Sequence, residues 1–125
     1  MTRKALVFGT FDGFDAGHQF FIEEAAKKGT ELIAAVARDE HVRTLKKKEP
    51  RNSESVRLQR VAEDPHISQA FLSDEQLGSY IILNKVQPDV LVLGFDQDAL
   101  KSDIIRWLEE NHRTIPIETL TYLPE

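Results

Sequence analysis

There is no cysteine among the 125 residues. That absence excludes a disulfide framework, a thiolate metal site and a cysteine nucleophile, and it fits a reducing compartment. No apolar run approaches the roughly 20 residues that a membrane span requires. The opening MTRKALVFGT enters a strand at once and lacks signal-peptide architecture. A cytoplasmic protein with no membrane partner is expected. Basic charge is also in short supply: 16 Lys and Arg stand against 21 Asp and Glu, for a net charge of −5. Nucleic-acid binding wants a basic face, so nucleic acid is not an expected partner. Repeats, linkers and low-complexity stretches are missing too, which leaves a single domain over residues 1–125.

What the chain does have is alternation. Residues 4–8 (KALVF) read as a buried strand ended by Gly9. Residues 18–28 read as a helix, with Phe21, Ile22, Ala25 and Ala26 on one face and Gly29 at its end. Residues 31–37 (ELIAAVA) are apolar nearly throughout, as a strand covered on both faces should be. A polar stretch, RDEHVRTLKKKEPRNS, follows and reads as a loop. Val56, Leu58, Val61 and Ala62 mark a helix behind a Ser53 or Asn52 cap. Residues 69–72 (QAFL) make a short strand, LGSYIILNK a helix, and 89–93 (DVLVL) a strand ended by Gly94. Leu100, Ile104, Trp107 and Leu108 form a helical stripe, and residues 115–120 an edge strand containing Pro116.

The order β-α-β-α-β-α-β-α-β predicts an α/β fold: a Rossmann-like, doubly wound, five-stranded parallel sheet with helices on both faces. In such sheets ligands bind beyond the carboxyl ends of the strands, near the topological switch point. Two strand ends carry unusual residues, GTFDGFDAGH after the first and GFDQD after the fourth, and both are expected to open on one crevice.

Gly9 and Gly17 allow close backbone approach or positive φ. A turn running into a helix leaves N–H groups pointing at an anion, Thr10 adds a hydroxyl, and His18 can present an imidazole N–H. Singly, each has a plainer reading: Asp15 as a helix N-cap, Asp12 as a turn residue, His18 as a surface side chain. Together, at a strand-to-helix junction, they predict a phosphate site. The segment 43–51 (RTLKKKEPR) gathers Arg43, Lys46, Lys47, Lys48 and Arg51. It reads either as a solvated loop, the simpler view from charge alone, or as a surface facing an anion.

GTFDGFDAGH resembles the GTFDxxHxGH motif of the cytidylyltransferase-like nucleotidyltransferases. ARDEHVRTLKKKEPRNSESVRLQRV resembles the segment where that superfamily carries a phosphate-binding Lys and then an Arg-Leu pair. PDVLVLGFDQD resembles its PDxxxxGxDQ strand end, in the form closest to archaeal-type FAD synthetases, with glycerol-3-phosphate cytidylyltransferases next. The likeness runs in order from residue 4 to about residue 100.

The resemblance implies an enzyme that moves AMP or CMP from ATP or CTP to a small phosphorylated acceptor, releasing pyrophosphate, with Mg²⁺ accompanying the nucleotide; the GFDQ form tilts toward ATP. It implies His18 and Lys46 as catalytic, with Lys47 and Lys48 as rivals to Lys46. It implies Gly9, Thr10, Phe11, Asp15, Gly17, His18, Arg57, Gly94, Asp96 and, on the strand-five loop, Tyr122 as nucleotide-binding. A homodimer is an assembly such proteins often adopt. Two departures stand out. Asp15 occupies the place of the first motif histidine, and unit like charges ~5 Å apart repel by about 3 kcal/mol at an effective dielectric of 20; a Mg²⁺ bridging Asp15 to phosphate would offset this. The family's Ser/Thr-rich clamp is expected to be missing, because the sequence reads TYLPE where it should begin. The alternative is therefore a shortened nucleotide- or phosphate-binding module without strong turnover. A flavodoxin-like or receiver-like domain fits less well, for want of a Lys after strand five.

Overall fold

Along the chain run β1 (Lys4–Gly9), α1 (Ala16–Ala26), β2 (Glu31–Val36), α2 (Asp39–Lys46), α3 (Glu54–Ala62), β3 (Gln69–Leu72), α4 (Ile82–Val86), β4 (Val90–Gly94), α5 (Asp98–Glu110) and β5 (Ile117–Leu120). The computed structural model describes residues 1–13 and 15–121. The five strands form one sheet in the order β3-β2-β1-β4-β5, every neighbouring pair parallel. This is the doubly wound, Rossmann-like arrangement expected from the sequence. The chain winds outward from β1 to β3, then crosses back to β4, so the switch point lies between β1 and β4.

Alternation along each strand explains the layers. Leu6 and Phe8 of β1, Ile33 and Ala35 of β2, and Leu91 and Leu93 of β4 face one side, where α4 supplies Ile82, Leu83 and Val86 and α5 supplies Ile104, Trp107 and Leu108. Ala5, Val7, Leu32, Ala34, Val36, Val90 and Val92 face the other, against Ile22 and Ala25 of α1 and Val61 of α3. Burial on both faces is why the central strands read as continuous apolar runs rather than as alternating ones. No helix among the described residues is long and apolar enough to cross a membrane.

Three elements differ from the sequence reading. The polar stretch after β2 contains a helix, α2, of which only His41 and Val42 are buried. Its amphipathic stripe is too narrow to stand out, and its acidic first turn and basic last turn suit the helix dipole instead. The helix expected over LGSYIILNK is shorter, five residues, because Gly78 and Tyr80 both take positive φ (83° and 49°) and make a turn first. α1 starts at Ala16, two residues earlier than expected, because Asp15 caps it. Ser53 is the cap of α3, accepting from the Val56 amide at 3.3 Å. Pro116 lies just outside edge strand β5, its carbonyl accepting from Leu91 N–H.

Candidate functional site

The crevice follows from how β1 and β4 part company. Their pairing covers Ala5–Val90 and Leu6–Leu91. Beyond it the Gln97 side chain spans the gap, donating through Nε2 to the Phe8 carbonyl (2.9 Å) and accepting at Oε1 from the Gly94 amide (2.8 Å). On the rim so opened, both glycine-marked strand ends face a single cleft of about 1580 Å³. Gly9, Thr10, Phe11, Asp15, Gly17, His18, Lys46, Gly94 and Asp96 all line it.

The motif loop is held from within. Phe11 is 3% exposed and sits at φ 54°. Its ring lies directly over Gly9: a Cβ built on Gly9 would come 2.6 Å from Phe11 Cζ. Glycine is therefore demanded at position 9 by contact. The imidazole of His18 meets the Phe11 ring edge-on, centroids 5.7 Å apart. Asp12, also on the cleft lining, grips the segment ahead of α3. Its carboxylate accepts from the amides of Arg51 (2.6 Å) and Asn52 (3.0 Å) and from Asn52 Nδ2 (2.9 Å). Burial pushes the Asp12 carboxyl up, but the Arg51 amide and both Asn52 donors outweigh it, and the net shift is down.

Asp15 caps the head of α1, as its plainer sequence reading had it. Its Oδ1 accepts from the His18 amide at 3.1 Å and lies 3.5 Å from His18 Nδ1. The His18 amide, then the charge of its imidazole, hold this carboxyl below its ordinary value. The seat at the head of α1 is thus taken by the chain's own carboxylate. The side chain is still 72% exposed.

Arg57 is not among the residues lining the cleft. It is wholly buried. Its guanidinium donates to the carbonyls of Asn52 (3.0 Å), Thr10 (2.9 Å) and Ala37 (2.7 Å) and to Asp39 Oδ1 (2.7 Å). It ties together the loops after β1 and β2. Asp39 feels burial upward and the Arg57 hydrogen bond downward, with a lowered carboxyl as the result. Among the three lysines, Lys46 and Lys48 line the cleft and Lys47 does not; Lys47 is the left-handed cap of α2. Asp96 folds back over Gly94, its Oδ1 3.1 Å from where a Gly94 Cβ would stand. Tyr122 lies outside the described residues.

Arg51, from the basic segment 43–51, joins the cleft rim. Other lining residues had no signal in the sequence. The opposite wall, on the α4–α5 side, carries Phe8 and Tyr80, rings edge to face at 6.4 Å. Tyr80 donates its hydroxyl to Asp103 Oδ2 at 2.6 Å, and Arg106 grips the other oxygen of that carboxylate. Burial first, then the Asp103 bond, push the Tyr80 phenol upward out of its usual range. His41, 7% exposed, also lines the cleft and is fixed by Nε2 lying 3.0 Å from the Glu75 carbonyl.

No group of three or more His, Asp or Glu among the described residues is arranged to hold a metal ion.

A cytidylyltransferase-like family model matches residues 6–123. A protein of Methanopyrus kandleri named FAD synthase is 41% identical over 112 residues, covering 87% of this chain and 73% of that protein. An FAD synthase of Methanothermobacter thermautotrophicus is 34% identical over 111 residues, covering 83% of this chain and 72% of the relative. Among solved structures, one described as the lipopolysaccharide core biosynthesis protein of Thermoplasma volcanium superposes with a TM-score of 0.89 at 27% identity, covering 99% of this chain and 100% of that one.

Proposed function

This chain belongs to the cytidylyltransferase-like family, a family of nucleotidyltransferases, and on that premise we propose that it transfers AMP from ATP to a small phosphorylated acceptor and releases pyrophosphate. CTP as the donor is the variant to be tested beside it. The FAD synthase names of its relatives make FMN the first acceptor to try. The observation that carries the reading is the convergence of both glycine-marked strand ends, His18 and Lys46 on one cleft at the switch point.

The chemistry asks little of the protein in the way of proton transfer. An oxygen of the ionised acceptor phosphate forms a bond to the α-phosphorus. The bond from that phosphorus to the bridging oxygen breaks, and pyrophosphate leaves with the electron pair. Catalysis is then alignment of two phosphates and neutralisation of the charge that grows between them. The reading assigns this task to His18, which contacts Asp15 and the Phe11 ring, and to Lys46, on the last turn of α2. Mg²⁺ on the triphosphate supplies further neutralisation when bound.

Pyrophosphate release should be measured with ATP or CTP and Mg²⁺ against FMN, glycerol 3-phosphate and phosphoethanolamine. His18→Ala should lower kcat/KM about 100-fold, the usual effect of removing one transition-state donor. Release unchanged by that substitution would defeat the assignment. A second reading, nucleotide binding without turnover, is favoured by the Asp15 carboxylate on the His18 amide. It predicts ATP binding by calorimetry with no release for any acceptor.

A further inference from the structure

Three arginines lie between residues 43 and 57, and the structure uses them differently. Arg57 donates four hydrogen bonds and is wholly buried. Arg43 is paired with Glu49 at 2.7 Å. The guanidinium of Arg51 makes no hydrogen bond or ion pair with any described residue, yet its main chain is pinned, its amide on Asp12 Oδ2 at 2.6 Å. Asp12 belongs to the motif itself, 39 residues earlier in the chain. Residue 51 is therefore delivered to the rim of the cleft by the phosphate motif, with its cationic fork exposed.

The cleft has a charge problem at this place. The amide that would receive an anion at the head of α1 is occupied by Asp15, and that carboxylate repels any phosphate brought near it. Lys46 and Lys48 are single-point cations, whereas a guanidinium offers a planar fork matched to two phosphate oxygens.

We propose that Arg51 is the side chain that grips the nucleotide's phosphates at the motif loop and offsets the Asp15 carboxylate there. The proposal rests on the nucleotidyl-transfer reading above and names a contact within that site. The charge of Arg51 makes the smallest of the contributions that hold the Asp15 carboxyl down, behind the amide and charge of His18 and the Gly17 amide. The asymmetry between the arginines is then purposeful: Arg57 builds the loop's frame and Arg51 meets the ligand.

The test is calorimetric titration of the protein with ATP, with CTP and with inorganic pyrophosphate, at low and moderate salt. The proteins are wild type, Arg51→Gln, Arg51→Lys and Arg51→Gln combined with Asp15→Asn, which keeps a capping side chain. Arg51→Gln should weaken ATP at least about tenfold and flatten its salt dependence, as loss of one phosphate contact does. Arg51→Lys should keep the wild-type salt dependence but recover only part of the affinity, since the charge remains and the fork does not. Asp15→Asn should restore part of the loss in the double variant. ATP binding by Arg51→Gln within twofold of wild type overturns the proposal. So does an equal loss in Arg51→Gln and Arg51→Lys with unchanged salt dependence, which marks a purely structural position. If wild type binds and turns over nucleotide while Arg51→Gln matches it, only this contact falls. If wild type binds neither ATP nor CTP, this contact and the nucleotidyl reading fall together.

Discussion

Replacing Arg57 with Met separates a frame residue from a ligand contact. Met keeps most of the length and apolar volume but removes every donor. Four hydrogen bonds are lost, three to main-chain carbonyls and one to the Asp39 carboxylate. At ~1.5–3 kcal/mol for each bond with a charged donor, the sum would run to about 6–12 kcal/mol. That overstates the effect, because Asp39 keeps 22% of its side-chain surface in water and the Thr10 and Asn52 loops can relax toward solvent. Breaking one partner of a buried pair costs about 3–5 kcal/mol. For a domain of this size that lowers Tm by about 12–20 °C. The assay is urea unfolding followed by circular dichroism, with the midpoint and slope fitted separately. Arg57→Lys should recover little, since one ammonium cannot reach four acceptors on three loops. An Arg57→Met protein within about 1 kcal/mol of wild type that had lost nucleotide affinity would refute the frame role and return Arg57 to the phosphates.

Other expectations follow from the same loops. Gly9→Ala places a methyl 2.6 Å from Phe11 Cζ; the ring must leave its seat and carry His18 with it, costing about 1–3 kcal/mol of stability and at least about tenfold in ATP affinity by calorimetry. Acid should weaken the protein through Asp12 and Asp39, whose carboxyls are lowered in the folded state. Their contribution is fully present above the ordinary carboxylate value of about 3.9 and is lost as pH falls through the lower folded values. Thermal melts between pH 7 and pH 2 should show Tm falling most steeply below about pH 4, and Asp39→Asn should flatten that fall; an unchanged slope would argue against the linkage.

The sheet was readable because its strands are short continuous apolar runs and its turns carry glycine. The cleft was readable to the extent that its residues sit at those strand ends. Arg57 shows where a linear reading fails. The resemblance implied a nucleotide-binding role for it, and nothing in ESVRLQRVA says that the α3 face bearing it packs under two loops. Asp15 was readable as a cap and as a charge at a phosphate motif, but not that it does the first while lining the site of the second. α2 was missed because its buried pair is His41 and Val42, neither a strong periodic signal. Tyr80 was missed because its importance comes from a positive φ and from partners on α5 that only the folded chain brings together.

The adjacency of β1 to β4 has a consequence for how the molecule matures. Lys4 meets Asp89 across 85 positions, and Gln97 closes the floor beyond them. A nascent chain therefore displays its glycine-rich motif long before it owns a complete receptacle. Occupancy must await the crossover from β3 to β4, so a ligand at this crevice would favour the chain in which β1 and β4 are already paired. Its binding energy adds wholly to global stability, growing with the logarithm of free ligand concentration.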